Sequence, residues 1–240
     1  MTGAFANAIG ILLGSLLGLS WPHTFSPKHQ IQIRNVIGLL TILAGGRLIW
    51  SGLHGTFRLG MKELAVALLA VTLGNWTGRA LGLQKISNAV GRFASNLITI
   101  AKKNPPGDGG MLAATILFCA APLGLIGSVT EGVSDNFDLL IVKALMDGLA
   151  ASAFVKIFHW YSAMAAIPVY LLFGGVTIAS HHAATTMLAG HGLIESIQIT
   201  AGLLACVVSV VIFETRKVEL ANYLPALAAA PWLTKWFGWG

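Results

Sequence analysis

Eight runs of about twenty mostly apolar residues make up most of this chain, and no other feature limits its fold so severely. They cover roughly 3–20, 35–53, 63–83, 111–130, 138–158, 161–180, 193–213 and 218–238. Hydrocarbon offers nothing to a loose N–H or C=O, so a run of this length surrounded by lipid has to satisfy its backbone internally as a helix. Composition agrees: 55% of residues are hydrophobic and 10% are charged, against about 25% charged in a soluble domain. The expected fold is all-α, a polytopic membrane protein of about eight transmembrane helices.

The first run is rich in glycine (Gly3, Gly10, Gly14, Gly18), a spacing that lets helices approach closely. Pro225 and Pro231 interrupt the last run, which is expected to be kinked or only partly inserted. The start, Met-Thr-Gly-Ala-Phe-Ala-Asn, lacks a basic n-region, so the first run reads as a retained helix rather than a cleaved signal. Cys119 and Cys206 fall in apolar segments and imply no disulfide framework. A net charge of +6 raises nucleic acid as a partner, but the cations are scattered between apolar runs with no interleaved aromatics, which excludes it.

Those cations orient the chain instead. Lys28, Arg34, Arg79, Lys85, Arg92, Lys102, Lys103, Lys156, Arg216 and Lys217 lie in one set of loops, and Arg58, Lys62 and Lys235 in the other. Ten against three favours the first set in the cytoplasm, with both termini outside. In the longest cytoplasmic connection, 84–104, Ile86, Val90, Phe93, Leu97 and Ile100 form one apolar stripe at helical spacing beside Arg92, Lys102 and Lys103. An interfacial amphipathic helix is expected there, or a helix packed on the protein's own cytoplasmic face.

The first and last three runs share a loose pattern. Gly38-Leu-Leu resembles Gly202-Leu-Leu, Glu63-Leu-Ala resembles Glu219-Leu-Ala, and the Ala4 and Ala163 segments can be aligned. Five crossings separate the two sets, so a repeat here would be inverted, a plan that puts a transport site at the interface of the halves. The expected layout is a single transmembrane domain over 1–240. A three-helix repeat (1–83) is followed by the amphipathic helix (84–104), a central hairpin (111–158) and a second three-helix repeat (161–240).

The central hairpin carries the chemistry. Lys143 and Asp147 are spaced i, i+4 and share a helix face. With a helix start at Asp138, Asp147 lies about 13–14 Å along it, near the middle of a hydrocarbon layer about 30 Å thick. Ionisable groups at such depth mark ion pathways or interhelix salt bridges. Ser128 and Glu131 end the preceding run, and Glu131, Asp135 and Asp138 put three acids at the outer mouth. Asp138 is expected to cap its helix. Pro122 frees a backbone carbonyl, which serves either as an ion ligand in a broken helix or as a harmless kink. Asn7 and Asn75 are helix glue or ligands, and Arg47 an interfacial anchor. His181, His182 and His191, with Glu195, are expected in a solvated outer loop rather than a metal site. No hydrolase, P-loop or zincin signature is present. Ser128 and Lys143 match a Ser–Lys dyad by residue type alone, so no enzymatic activity is expected.

Gly3…Asn7-Ala-Ile, Leu117-Phe-Cys, Gly127-Ser, Glu131-Gly132, Leu139-Leu, Lys143, Asp147-Gly148 and Val218…Ala221-Asn-Tyr-Leu-Pro-Ala-Leu together resemble the YqgA-like bacterial inner-membrane family, domain of unknown function family 554. The resemblance covers nearly the whole chain and implies a helical inner-membrane protein without implying an activity. The expected function is a transporter or channel for a small ion or solute, with Asp147, Lys143, Glu131, Ser128, Asn7 and Asn75 as binding residues. The alternative is a non-transporting scaffold or assembly subunit whose charges are structural. No cofactor or metal is expected. Membrane lipid and a small ion or solute are the expected partners, with a homo-oligomer allowed.

Overall fold

The apolar runs fold as helices, as their composition demands, in the computed structural model of the chain, which describes residues 1–20, 26–53, 56–103, 109–187 and 193–237. In order these are α1 (Thr2–Ser20), α2 (Pro27–Gly52), α3 (Phe57–Ala80), α4 (Leu83–Lys103), α5 (Gly109–Cys119), α6 (Pro122–Ser134), α7 (Asp138–Phe158), α8 (Tyr161–Met164), α9 (Ala166–Met187), α10 (Leu193–Ile212), a 3-10 turn (Leu220–Tyr223) and α11 (Ala226–Trp236). No strand occurs among the described residues. Local chemistry sets several starts. Ser26 caps α2, its hydroxyl accepting from the His29 N–H at 3.5 Å, and proline occupies the first turn of both α2 and α6, where no N–H is needed.

Thr2–Ser20, Lys28–Gly52, Tyr161–Thr186 and Leu193–Ile212 are each long and apolar enough to cross a membrane, and the α5–α6 pair, bent by 62°, has the length and composition of either a broken fifth span or a re-entrant loop. α3 and α7, at 24 and 21 residues, reach spanning length but carry four charged side chains each. Two of the expected spans differ from straight helices. Residues 111–130 are broken at Pro122, whose ring cannot continue a helix. Residues 218–238 do not form a spanning helix: Pro225 separates the 3-10 turn from α11, whose 11 residues cover only about 16 Å.

Glycine governs how the helices meet. Gly10, Gly14 and Gly18 of α1 lie in that order against Ala144, Gly148 and Ser152 of α7, so the two run parallel. A Cβ on Gly10 would come within 2.6 Å of the Ala144 carbonyl oxygen, and one on Gly148 within 2.7 Å of that of Gly10. α2 and α10 run antiparallel, with Gly45 against Gly202 and Gly52 against Ile199. α6 lies parallel to α9, pairing Gly124 with Phe173 and Gly132 with Thr177. α3 meets α11 and the 3-10 turn antiparallel, through Gly74 on Ala226 and Gly78 on Asn222. α1 and α9 are also antiparallel, with Phe5 edge-on to Tyr170 and Met1 against Gly174.

Two apolar clusters result, one centred on α2, α6 and α10 and the other on α1, α5 and α9. α7 contributes to both, and α6 beside it has no exposed residue. The opposite faces of the outer helices are apolar and open: Leu13, Leu16 and Leu17 of α1 are 55–62% exposed. In a polytopic membrane protein these are the faces that meet acyl chains.

Candidate functional site

The break between α5 and α6 leaves one backbone acceptor without its usual donor. Pro122 has no N–H to offer the Phe118 carbonyl four residues earlier. The ammonium of Lys143, from the second turn of α7, donates to that carbonyl at 3.0 Å. The same ammonium pairs with both oxygens of Asp147, one turn further along α7. It also lies 5.6 Å from the centroid of the Phe173 ring of α9, within cation–π range. Lys143 is 1% exposed and Asp147 5%. Three helices, α5, α7 and α9, thus converge on one buried cation.

Asn7 brings α1 to the same place. It is fully buried, with its carboxamide beside the Asp147 carboxylate. Its position follows from the glycine contact, since only backbone at Gly10 and Gly14 lets α1 come so close to α7.

Glu131 is not at an open mouth. It is 3% exposed, and its carboxylate receives the Gly3 N–H at 2.7 Å, the Met1 α-amino group at 3.1 Å and the Thr177 hydroxyl at 3.3 Å. Negative charge is favourable at a helix N-terminus, where backbone N–H groups are unpaired, so Glu131 fastens the start of α1 to α6 and α9. Glu131→Ala is expected to destabilise the fold by about 1.5–3 kcal/mol, the range for a hydrogen bond to a charged group. Glu131→Gln, which keeps an acceptor for Gly3, should lose roughly half of that. Thermal unfolding of the two purified variants in one detergent checks the order.

Ser128 is buried and donates to the Gly124 carbonyl at 2.8 Å, a bond within its own helix. It does not pair with Lys143, whose partners are the Phe118 carbonyl and Asp147, so the two are not joined as a dyad.

A family model described as "Protein of unknown function (DUF554)" matches residues 2–235. The chain belongs to the DUF554 family. Two relatives match along nearly their full length. An "Uncharacterized protein YqgA" of Escherichia coli K12 is 26% identical over 241 residues, covering 99% of this chain and 98% of the relative. An "Uncharacterized membrane protein YdfK" of Bacillus subtilis 168 is 22% identical over 233 residues, covering 96% and 94%. No solved structure matches the chain.

The remaining expected site residues of this DUF554 chain lie apart from the buried pair. Asn75 is half-buried on α3, which packs on α10, α11 and the 3-10 turn. Asp138 does not cap α7 with its side chain. The Asn136 carboxamide accepts the Asp138 N–H at 3.1 Å, and the Asp138 carboxylate turns outward to Arg47 of α2 at 3.0 Å. An Asn two residues ahead reaches that N–H more easily than a residue already in the helix. His181 and His182 sit in α9 rather than in a loop, because no breaker stops that helix before Met187; Glu195 is in the first turn of α10 and His191 lies outside the described residues. Among the described residues, no group of three His, Cys, Asp or Glu is placed to hold a metal ion.

Neither Phe118 nor Phe173 is among the expected binding residues. The first had a readable signal, its position four residues before Pro122. The second had none, being one aromatic among eleven phenylalanines.

Proposed function

We propose that this protein is a non-enzymatic inner-membrane transporter or channel for a small ion or solute, in its sharpest form a proton-coupled cation route, working between the broken α5–α6 span and α7. One observation carries the reading: a buried Lys143–Asp147 pair seated on the carbonyl that the helix break releases. Intramembrane charges are costly to keep, and broken helices lend backbone carbonyls to ions near the bilayer midplane. The Lys143 ammonium occupies the position where the carboxylate, the freed carbonyl and the Asn7 amide would hold a free cation. Exchange of one for the other is the step that moves charge.

The packing supports the plan. α1 and α9, α2 and α10, and α3 and α11 each meet antiparallel, as corresponding helices of an inverted repeat must. The hairpin of α5–α6 and α7 then lies between the two halves. The excess of Lys and Arg at one end of the bundle supports a cytoplasmic position for that end, with the start of α1 outside; because the last run does not cross, the outside position expected for the C-terminus does not follow.

Sodium, potassium and proton flux into liposomes, followed with ion-sensitive dyes, tests this reading. Asp147→Asn keeps the size of the side chain and an acceptor for Lys143, and its flux should fall to that of empty liposomes. Wild-type flux in Asp147→Asn would contradict the reading.

The second reading, a scaffold or assembly subunit, is favoured by the saturation of these charges. Lys143 has three partners, and Glu131 is taken up by the start of α1. On this reading the pair holds helices together and the protein passes no ion.

A further inference from the structure

The amphipathic helix α4 presents three faces rather than two. One flank packs on the protein: Ala94 is fully buried, and Ser87, Val90 and Leu97 are half-buried. Asn88, Ser95 and Thr99 form a polar exposed flank. The third flank is apolar and open, with Ile86, Phe93 and Ile100 at 59%, 52% and 56% exposure, spaced seven residues apart. Exposed Lys85 and Arg92 border it, and α4 contains no acidic residue.

The position of α4 says what covers that flank. It begins after Gly82, whose positive φ of 66° turns the chain sharply at the end of α3. Gln84 ties this start to the 3-10 turn, accepting from the Ala221 N–H at 3.2 Å while its own N–H donates to the Asn222 carboxamide at 3.0 Å. α5 then leaves from the same end of the bundle, where Gly110 packs on Phe158, the last residue of α7. α4 therefore lies at the bundle's cation-rich end, the end that the positive-inside rule assigns to the cytoplasmic headgroups. A flank of large apolar side chains edged by cations fits acyl chains below and anionic headgroups above.

We propose that α4 is a lipid-docking element, with Ile86, Phe93 and Ile100 in the acyl region and Lys85 and Arg92 holding anionic headgroups. This inference does not depend on transport. The full chain, reconstituted in nanodiscs of phosphatidylcholine with phosphatidylglycerol, tests it by nitroxide labelling at 93 and at 95 in a Cys119→Ser, Cys206→Ser background. The label at 93 should collide with oxygen and be shielded from a water-soluble nickel chelate, and the label at 95 should show the reverse. Nickel access at 93, or shielding from both probes by a protein partner or a second copy, would overturn the proposal. A second arm keeps the native cysteines. In native mass spectrometry, Lys85→Gln with Arg92→Gln should reduce retention of phosphatidylglycerol relative to phosphatidylcholine by about 25-fold, or about fivefold per cation. Unchanged selectivity there would overturn the assignment of the headgroup contacts.

Discussion

Lys143→Met should cost this protein about 3–5 kcal/mol of stability, the usual price of leaving a buried charge without its partner. The variant keeps Asp147 in a site 5% exposed, with no ammonium to neutralise it, and deprives the Phe118 carbonyl of its donor. A second substitution in the same molecule, Asp147→Leu, should restore most of the loss. Two packed apolar side chains replace a buried ion pair at little net cost, and what remains is the unpaired carbonyl, about 1–3 kcal/mol. Stability should therefore rank wild type, double variant, single variant. The intrinsic fluorescence of the seven tryptophans reports each unfolding transition. A single variant as stable as wild type would show that water reaches Asp147 freely.

Gly14→Leu should have an effect of comparable size, about 3 kcal/mol or more. Gly14 meets the backbone of Gly148, and a Cβ there would overlap the Gly148 carbonyl oxygen. Neither helix has a side chain at that point to move aside, so α1 must separate from α7. Overpacking in a core typically costs about 1–3 kcal/mol, and a clash between backbones lies at or above the top of that range. Separation also withdraws Asn7 from Asp147. Gly46→Leu in α2 is the matched control, since a Cβ there meets nothing within 4 Å. It should leave unfolding within about 0.5 kcal/mol of wild type. Thermal unfolding and size-exclusion profiles of the two variants distinguish a packing contact from a general intolerance of larger residues.

Much of this arrangement is written locally. Runs of Leu, Ala and Val at spanning length specify the helices, and the heptad of Ile86, Phe93 and Ile100 specifies α4. The i, i+4 spacing of Lys143 and Asp147 was enough to predict their pairing, and Pro122 was enough to predict a freed carbonyl. What stayed hidden depends on residues far apart in the chain. Glu131 reads as a mouth acid because nothing near it shows that the Gly3 N–H, 128 positions away, will reach its carboxylate. Which flank of α4 the protein covers is likewise fixed by α5 and by the Gln84 contacts with Ala221 and Asn222. The eighth run misleads for another reason. Its composition is apolar enough for a span, but Pro225 divides it and the longest helix left is too short to cross.

The most direct measurement is ion flux through the Lys143→Met, Asp147→Leu double variant. It retains the packing around the broken helix and removes both charges, separating a route from a structural tie. If Lys143 and Asp147 carry transport, the reconstituted double variant unfolds cooperatively, elutes as wild type does and shows no flux above empty liposomes. Wild-type flux through the double variant would contradict the account and leave the pair as a tie between helices.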